Sequence, residues 1–144
     1  MFLGTYHHKL DAKGRLSLPR KFRTYLTTER ELVITKGMDN CLFLFPRREW
    51  EQIREQLRQL KLGSRDARRA RRLLLGNAEE VVMDRMGRIL IPPALREYAG
   101  IQQEVVVVGL DWYMELWSPE AWAQELDEAE ASGLAEEQWE RLGI

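Results

Sequence analysis

The pentapeptide Asp11-Ala12-Lys13-Gly14-Arg15 is followed 73 residues later by Asp84-Arg85-Met86-Gly87-Arg88, and its surroundings return with it. At that offset Pro19 meets Pro92 and Tyr25 meets Tyr98. One residue is then lost, and an offset of 72 aligns Gly37 with Gly109, Asp39 with Asp111, Leu44 with Leu116 and Trp50 with Trp122. Two D-x-x-G-R motifs, each continuing through three apolar or small residues to proline, mark a tandem duplication of one supersecondary unit. One copy reads as four short strands and two helices, too little to close a core alone. Two copies can interleave their strands around a pseudo-twofold axis. The faces of Val33, Phe43, Val106 and Leu116 are then expected to meet inside a small barrel.

The same reading sets the organisation. Residues 1–62 form the first repeat, 63–77 a basic helical linker, 78–132 the second repeat and 133–144 an acidic C-terminal helix. In each repeat a strand (5–10; 80–83) enters the motif and a second strand leaves it (15–18; 88–91). Pro19 and Pro92 stand where proline opens a helix, over 19–26 and 93–99. The β-branched runs 31–35 and 104–108 pair with 41–45 and 113–117 across glycine-containing turns. Helices over 47–60 and 119–131 close the copies, with Trp50, Ile53, Leu57 and Leu60, and Trp122 and Leu126, on their apolar sides. Ser64 caps an arginine-rich helix that stops at Gly76.

Of 144 residues, 44% are hydrophobic and 31% charged, as in a globular chain. No apolar run approaches the roughly 18 residues of a membrane span, and no signal peptide is evident. The single cysteine, Cys41, lies in an apolar run and reads as a buried thiol; the cytoplasm is the expected compartment. The net charge of −1 conceals an asymmetry. Residues 1–72 hold 18 Lys and Arg against 8 acids, +10, whereas residues 73–144 hold 4 against 15, −11. This split implies a polyanionic partner for the front half, head-to-tail contact between neighbouring chains, or both.

In the motif the Asp carboxylate can accept from backbone N–H groups two or three residues on, and Gly supplies the positive φ of the reversal. A plain hairpin turn explains Asp11, Gly14, Asp84 and Gly87. It gives no reason for Arg15 and Arg88 at one offset, nor for the nearby Lys9, Lys13, Arg20, Lys21, Arg23, Arg85 and Arg96. Arginines on two rigid, dyad-related turns can bridge phosphates or take guanine O6 and N7 bidentately. These turns, the duplication and the lead-in Tyr6-His7-His8-Lys9-Leu10-Asp11 resemble the MraZ family. Those are bacterial DNA-binding regulators of the division and cell-wall gene cluster, in the swapped-hairpin class shared with AbrB-type regulators. The resemblance implies an α+β fold, a double swapped-hairpin barrel with flanking helices, and ring-shaped homo-oligomers. It also implies binding of double-stranded DNA at direct repeats in the promoter of its own operon, expected as a nucleoid-associated repressor. Arg15 and Arg88 take the family's motif arginines and Asp11 and Asp84 its acids. Lys9, Lys13, Arg20, Lys21 and Arg85 are the supporting cations, although copy two has Met86 where copy one has Lys13.

Other chemistry has little to stand on. His7 and His8 are adjacent on a strand and point to opposite faces, so they cannot jointly chelate an ion. No nucleophile triad or phosphate loop is present, and Glu79-Glu80 reads as a solvated strand start. No cofactor, metal, small-molecule substrate or catalytic residue is expected. Arg65, Arg68, Arg69 and Arg72 form one helical face, a second polyanion site or a dock for the acidic segment 125–140 of a neighbour. The rival reading is an antitoxin-like interaction module with an acidic tail that is disordered when free.

Overall fold

Proline sets where each repeat passes from strand to helix. Pro19 (φ −52°, ψ 138°) and Pro92 (φ −57°, ψ 138°) hold extended backbone one residue before the helix, so each precedes the first turn instead of opening it. The computed structural model describes residues 1–144. The first repeat runs β1 (Phe2–Lys9), β2 (Arg15–Ser17), α1 (Arg20–Arg23), β3 (Glu31–Lys36), β4 (Leu42–Pro46), α2 (Arg47–Gln59) and α3 (Arg65–Leu74). The second runs β5 (Glu79–Val82), β6 (Arg88–Leu90), α4 (Pro93–Ala99), β7 (Glu104–Asp111), β8 (Met114–Trp117), α5 (Pro119–Ser132) and α6 (Glu136–Arg141). Helix α1 is half its expected length. The Thr24 hydroxyl donates back to the Lys21 carbonyl at 2.8 Å, the local competition by which threonine disfavours helix continuation.

The α+β fold is built by exchange between the repeats. Six antiparallel strands lie in the order β1-β7-β8-β4-β3-β5, and β2 and β6 form a separate pair. Only the hairpins β3–β4 and β7–β8 stay within one repeat. Strand β1 pairs with β7, β5 with β3, β8 with β4 and β6 with β2. The registers obey one pseudo-dyad: Lys9 faces Glu104 just as its counterpart Val82 faces Glu31. Leu16 faces its own counterpart Ile89, and Phe43 faces its counterpart Glu115, so the axis passes through both pairs. Strands β1 and β5 end the six-stranded sheet, so its ladder does not close on itself.

Strand alternation assigns two faces. Leu32, Ile34, Leu42, Leu44, Val105, Val107, Met114 and Leu116 share one core with Leu16 and Ile89 of the small sheet, with Leu18 and Ile91 just beyond its strands, and with Phe22 and Leu95. Removing each such side chain from water contributes about 1.5–3 kcal/mol. Val33 and Phe45 point outward under Trp50 of α2; Cys41, Val106 and Trp117 lie under Trp122 of α5. The expected meeting of Val33, Phe43, Val106 and Leu116 is therefore corrected, because only Leu116 faces the shared core. Trp50 and Trp122 pack as expected, whereas Leu60 and Leu126 are exposed.

The glycines of the two hairpin turns serve close approach, not positive φ. Asp39, Asn40 and Asp111 carry the left-handed conformations, and a Cβ on Gly109 would come within 2.7 Å of the Leu3 nitrogen. No helix is long and apolar enough to cross a membrane.

Candidate nucleic-acid interface

Each D-x-x-G-R turn is closed by its own acid. Asp11 Oδ1 accepts from the N–H groups of Lys13 and Arg15, both at 2.9 Å, and Oδ2 accepts from Arg15 Nε at 2.6 Å. Asp84 repeats the set with Met86 N and Arg88 N at 2.9 Å and Arg88 Nε at 2.8 Å. The bonded N–H groups therefore lie two and four residues on, not two and three. Gly14 (φ 83°) and Gly87 (φ 78°) make the left-handed step, each donating to its motif Asp carbonyl at 3.0 Å. The Arg15 backbone N–H, reinforced by its guanidinium and the Lys13 N–H, holds the Asp11 carboxyl below the usual range, and Arg88 does the same for Asp84.

The arginine thus also closes the turn, a role the expectation gave to Asp and Gly alone. Its Nε is tied to the turn, which fixes the plane of the guanidinium. Its two Nη groups have no partner within the chain at either Arg15 or Arg88. A planar fork held at its root and free at its tip is suited to a phosphate or a base edge, and its ordering entropy is spent on folding.

The two turns are also tied to each other's strands. Leu18 N donates to Gly87 O at 2.9 Å, and Ile91 N donates to Gly14 O at 3.2 Å. Lys13 and Arg85 are exposed in the turns, Arg20 and Lys21 are exposed on α1, and Lys9 ends β1 opposite Glu104. At the 73-residue offset Lys9, Arg20 and Lys21 meet Val82, Pro93 and Ala94, so the first turn has the richer cationic surroundings. Two residues outside the expected set, Arg23 and Arg96, reach the turn glycines. Their recurrence at the motif's own offset was the available signal.

The remaining candidates lie apart. His7 is exposed, while burial and the nearby Arg23 guanidinium push the half-buried His8 below its usual pKa. Ser64 caps α3 by accepting from Ala67 N at 3.2 Å, and Arg65, Arg69 and Arg72 are exposed. Arg68 is instead bound to the Leu62 carbonyl at 2.8 Å, so the expected four-arginine face has three free members. No three His, Cys, Asp or Glu side chains group to hold a metal ion.

The family model described as "MraZ protein, putative antitoxin-like" matches residues 1–73 and again 74–142. The transcriptional regulator MraZ of Thermomicrobium roseum is 44% identical over 133 residues, 92% of each chain. That of Natranaerobius thermophilus is 43% identical over 139 residues, covering 95% of this chain and 96% of its own. That of Caldicellulosiruptor saccharolyticus is 43% identical over the full length of both.

Proposed function

We propose, from this chain's place in the MraZ family, that it is a transcriptional regulator that binds double-stranded DNA through its two D-x-x-G-R turns. The chain belongs to that family by a match over both repeats and by full-length relatives, and the family is one of regulators, not enzymes. The observation that carries the reading is the geometry of Arg15 and Arg88. Each is oriented by its Asp through Nε and keeps both Nη groups free, and the two are related by the pseudo-dyad. Arg15 and Arg88 make the base or phosphate contacts, while Lys9, Lys13, Arg20, Lys21 and Arg85 supply supporting cations. Asp11, Gly14, Asp84 and Gly87 set the turns.

In this reading the two sheets act as a swapped-hairpin barrel of the AbrB class, supported by the pairing of β2 with β6 across repeats. The protomers form a ring. Helix α3 and its repeat counterpart α6 differ in sign, the former exposing Arg65, Arg69 and Arg72 and the latter Glu136, Glu137 and Glu140. Such complementary, non-identical surfaces favour heterologous contacts that close by rotation. Ring neighbours share one orientation and therefore engage direct repeats about 10 base pairs apart, in the promoter of the chain's own division and cell-wall operon. The outcome is repression, at the nucleoid in the cytoplasm. The antitoxin-like alternative expected an acidic tail disordered when free, whereas residues 119–132 and 136–141 are helical.

The test is binding to duplex DNA from upstream of the chain's own coding sequence. Arg15→Ala should cost roughly 1–3 kcal/mol of specific binding per engaged turn. The double variant Arg15→Ala, Arg88→Ala should lose specific binding altogether, and full-strength binding by it would overturn the reading.

A further inference from the structure

A guanidinium from the opposite repeat lies across each turn glycine. A Cβ built on Gly14 would sit 2.9 Å from both Cζ and Nη1 and 3.1 Å from Nη2 of Arg96. These near-equal distances turn the face of the guanidinium toward the space that a Gly14 Cβ would fill. A Cβ on Gly87 would sit 2.5 Å from Cδ and 2.7 Å from Cζ of Arg23. Gly14 and Gly87 stand 73 residues apart, as do Arg23 and Arg96. The contact therefore obeys the pseudo-dyad and crosses it twice. Glycine is required at these positions for two separate reasons, its positive φ and the space that an arginine of the other repeat fills.

We propose that Arg23 and Arg96 are positioning residues acting across the repeat, Arg96 holding the turn that presents Arg15 and Arg23 the turn that presents Arg88. The anchoring supports this. Arg23 Nε donates to Leu18 O at 2.8 Å, and Leu18 N donates to Gly87 O at 2.9 Å, so stem, strand and turn form one bonded chain. On the other side Ile91 N reaches Gly14 O at 3.2 Å, but Arg96 Nε is buried without an acceptor. Arg96 thus lies against Gly14 without the side-chain bond within the chain that anchors Arg23. Charge points the same way. Within each turn Asp and Arg neutralise each other, so the braced guanidinium, with Lys13 at the first turn and Arg85 at the second, gives the turn its net positive charge. A shift in the brace therefore alters both the aim of the motif arginine and the local attraction for an anion.

This inference rests on the DNA-binding reading for its consequence, though not for its geometry, and two measurements separate them. In amide hydrogen exchange on the full-length chain, Arg96→Met should speed exchange at Gly14 and Arg15 at least tenfold and leave Gly87 and Arg88 unchanged. Arg23→Met should do the reverse. In binding to the upstream duplex, Arg96→Met should weaken affinity at least tenfold at temperatures where the fold is intact. It should add nothing to Arg15→Ala, whose turn it serves, yet multiply the loss caused by Arg88→Ala in its own repeat. Should Arg96→Met fail to fold, Arg96→Lys, which keeps the charge but not the flat guanidinium, carries both measurements. Faster exchange in the variant's own repeat, or losses that multiply with both motif arginines, would overturn the brace. If the wild-type chain binds no DNA, the DNA reading falls and the exchange result alone decides the brace.

Discussion

Alanine at the two turn glycines should destabilise the chain unequally. Both positions have left-handed backbone, which costs alanine about 1–2 kcal/mol. At Gly14 the new methyl must also push back the Arg96 guanidinium, which has no hydrogen bond at Nε to lose. At Gly87 the methyl displaces Arg23 and breaks its 2.8 Å bond to the Leu18 carbonyl, a part-buried charged hydrogen bond worth about another 1–2 kcal/mol. Gly87→Ala should therefore lose about 2–4 kcal/mol and Gly14→Ala about 1–2 kcal/mol. Urea unfolding followed by fluorescence of the five tryptophans reads this directly, at one fixed protomer concentration because association shifts apparent stability. Placing Gly87→Ala in an Arg23→Met background should recover the crowding part and leave the backbone part. Equal losses at the two glycines, or a larger loss at Gly14, would refute the assigned contacts.

Three further outcomes follow from the packing and the charges. The Asp11 and Asp84 carboxyls lie below their ordinary value of 3.8, so their stabilisation is complete above that pH and is lost as pH falls through the lower folded value. Carboxyl titration by NMR should give midpoints under 3.8 for both, and a midpoint at or above it would contradict the turn bonding. Leu16→Ala and Ile89→Ala, fully buried partners on the pseudo-dyad, should each cost about 2–5 kcal/mol, with a double-variant loss smaller than the sum because one cavity serves both. Cys41 is buried and its thiol is pushed well above the usual range, first by desolvation and then by Glu115. A thiol-specific colorimetric reagent should find it unreactive until the chain unfolds, and rapid labelling of the folded protein would count against that burial.

The repeat made most of this architecture legible. Equivalent residues imply equivalent environments, so the offset of 73 anticipated the pseudo-dyad that now pairs Leu16 with Ile89. Strand and helix types followed from periodicity, and Ser64 and its helix followed from capping chemistry. The errors arose where local pattern does not determine a partner. Val33 and Leu116 are both apolar residues in strands, but which face of the sheet each takes depends on register across repeats. Asp and Gly announced a turn, whereas the bond from Asp11 to Arg15 Nε depends on where a long side chain folds back. Arg23 and Arg96 were visible as cations, but their reach to the opposite turn depends on strand exchange between repeats.

Fusion of the two copies has a consequence that a dimer of identical copies lacks. An exact twofold presents every surface patch twice, so no patch is unique to one half of the molecule. Here the copies keep the symmetry where the core and the turns need it, at Leu16 and Ile89, at Asp11 and Asp84 and at Gly14 and Gly87. They diverge in the outer layer, where the arginines of α3 stand against the glutamates of α6. They diverge also beside the turns, where Lys9, Lys13, Arg20 and Lys21 are replaced by Val82, Met86, Pro93 and Ala94. Interior positions are tied by packing to both repeats at once, so a change in one is felt by the other, whereas exposed charges are free to vary. The chain thereby combines a pseudo-symmetric pair of turns with outer helices of opposite charge and two turns of unequal cationic strength. Under the proposed DNA-binding reading, a duplex engaged by both turns would meet one strong and one weak half, which would give the encounter a direction that strict symmetry would erase.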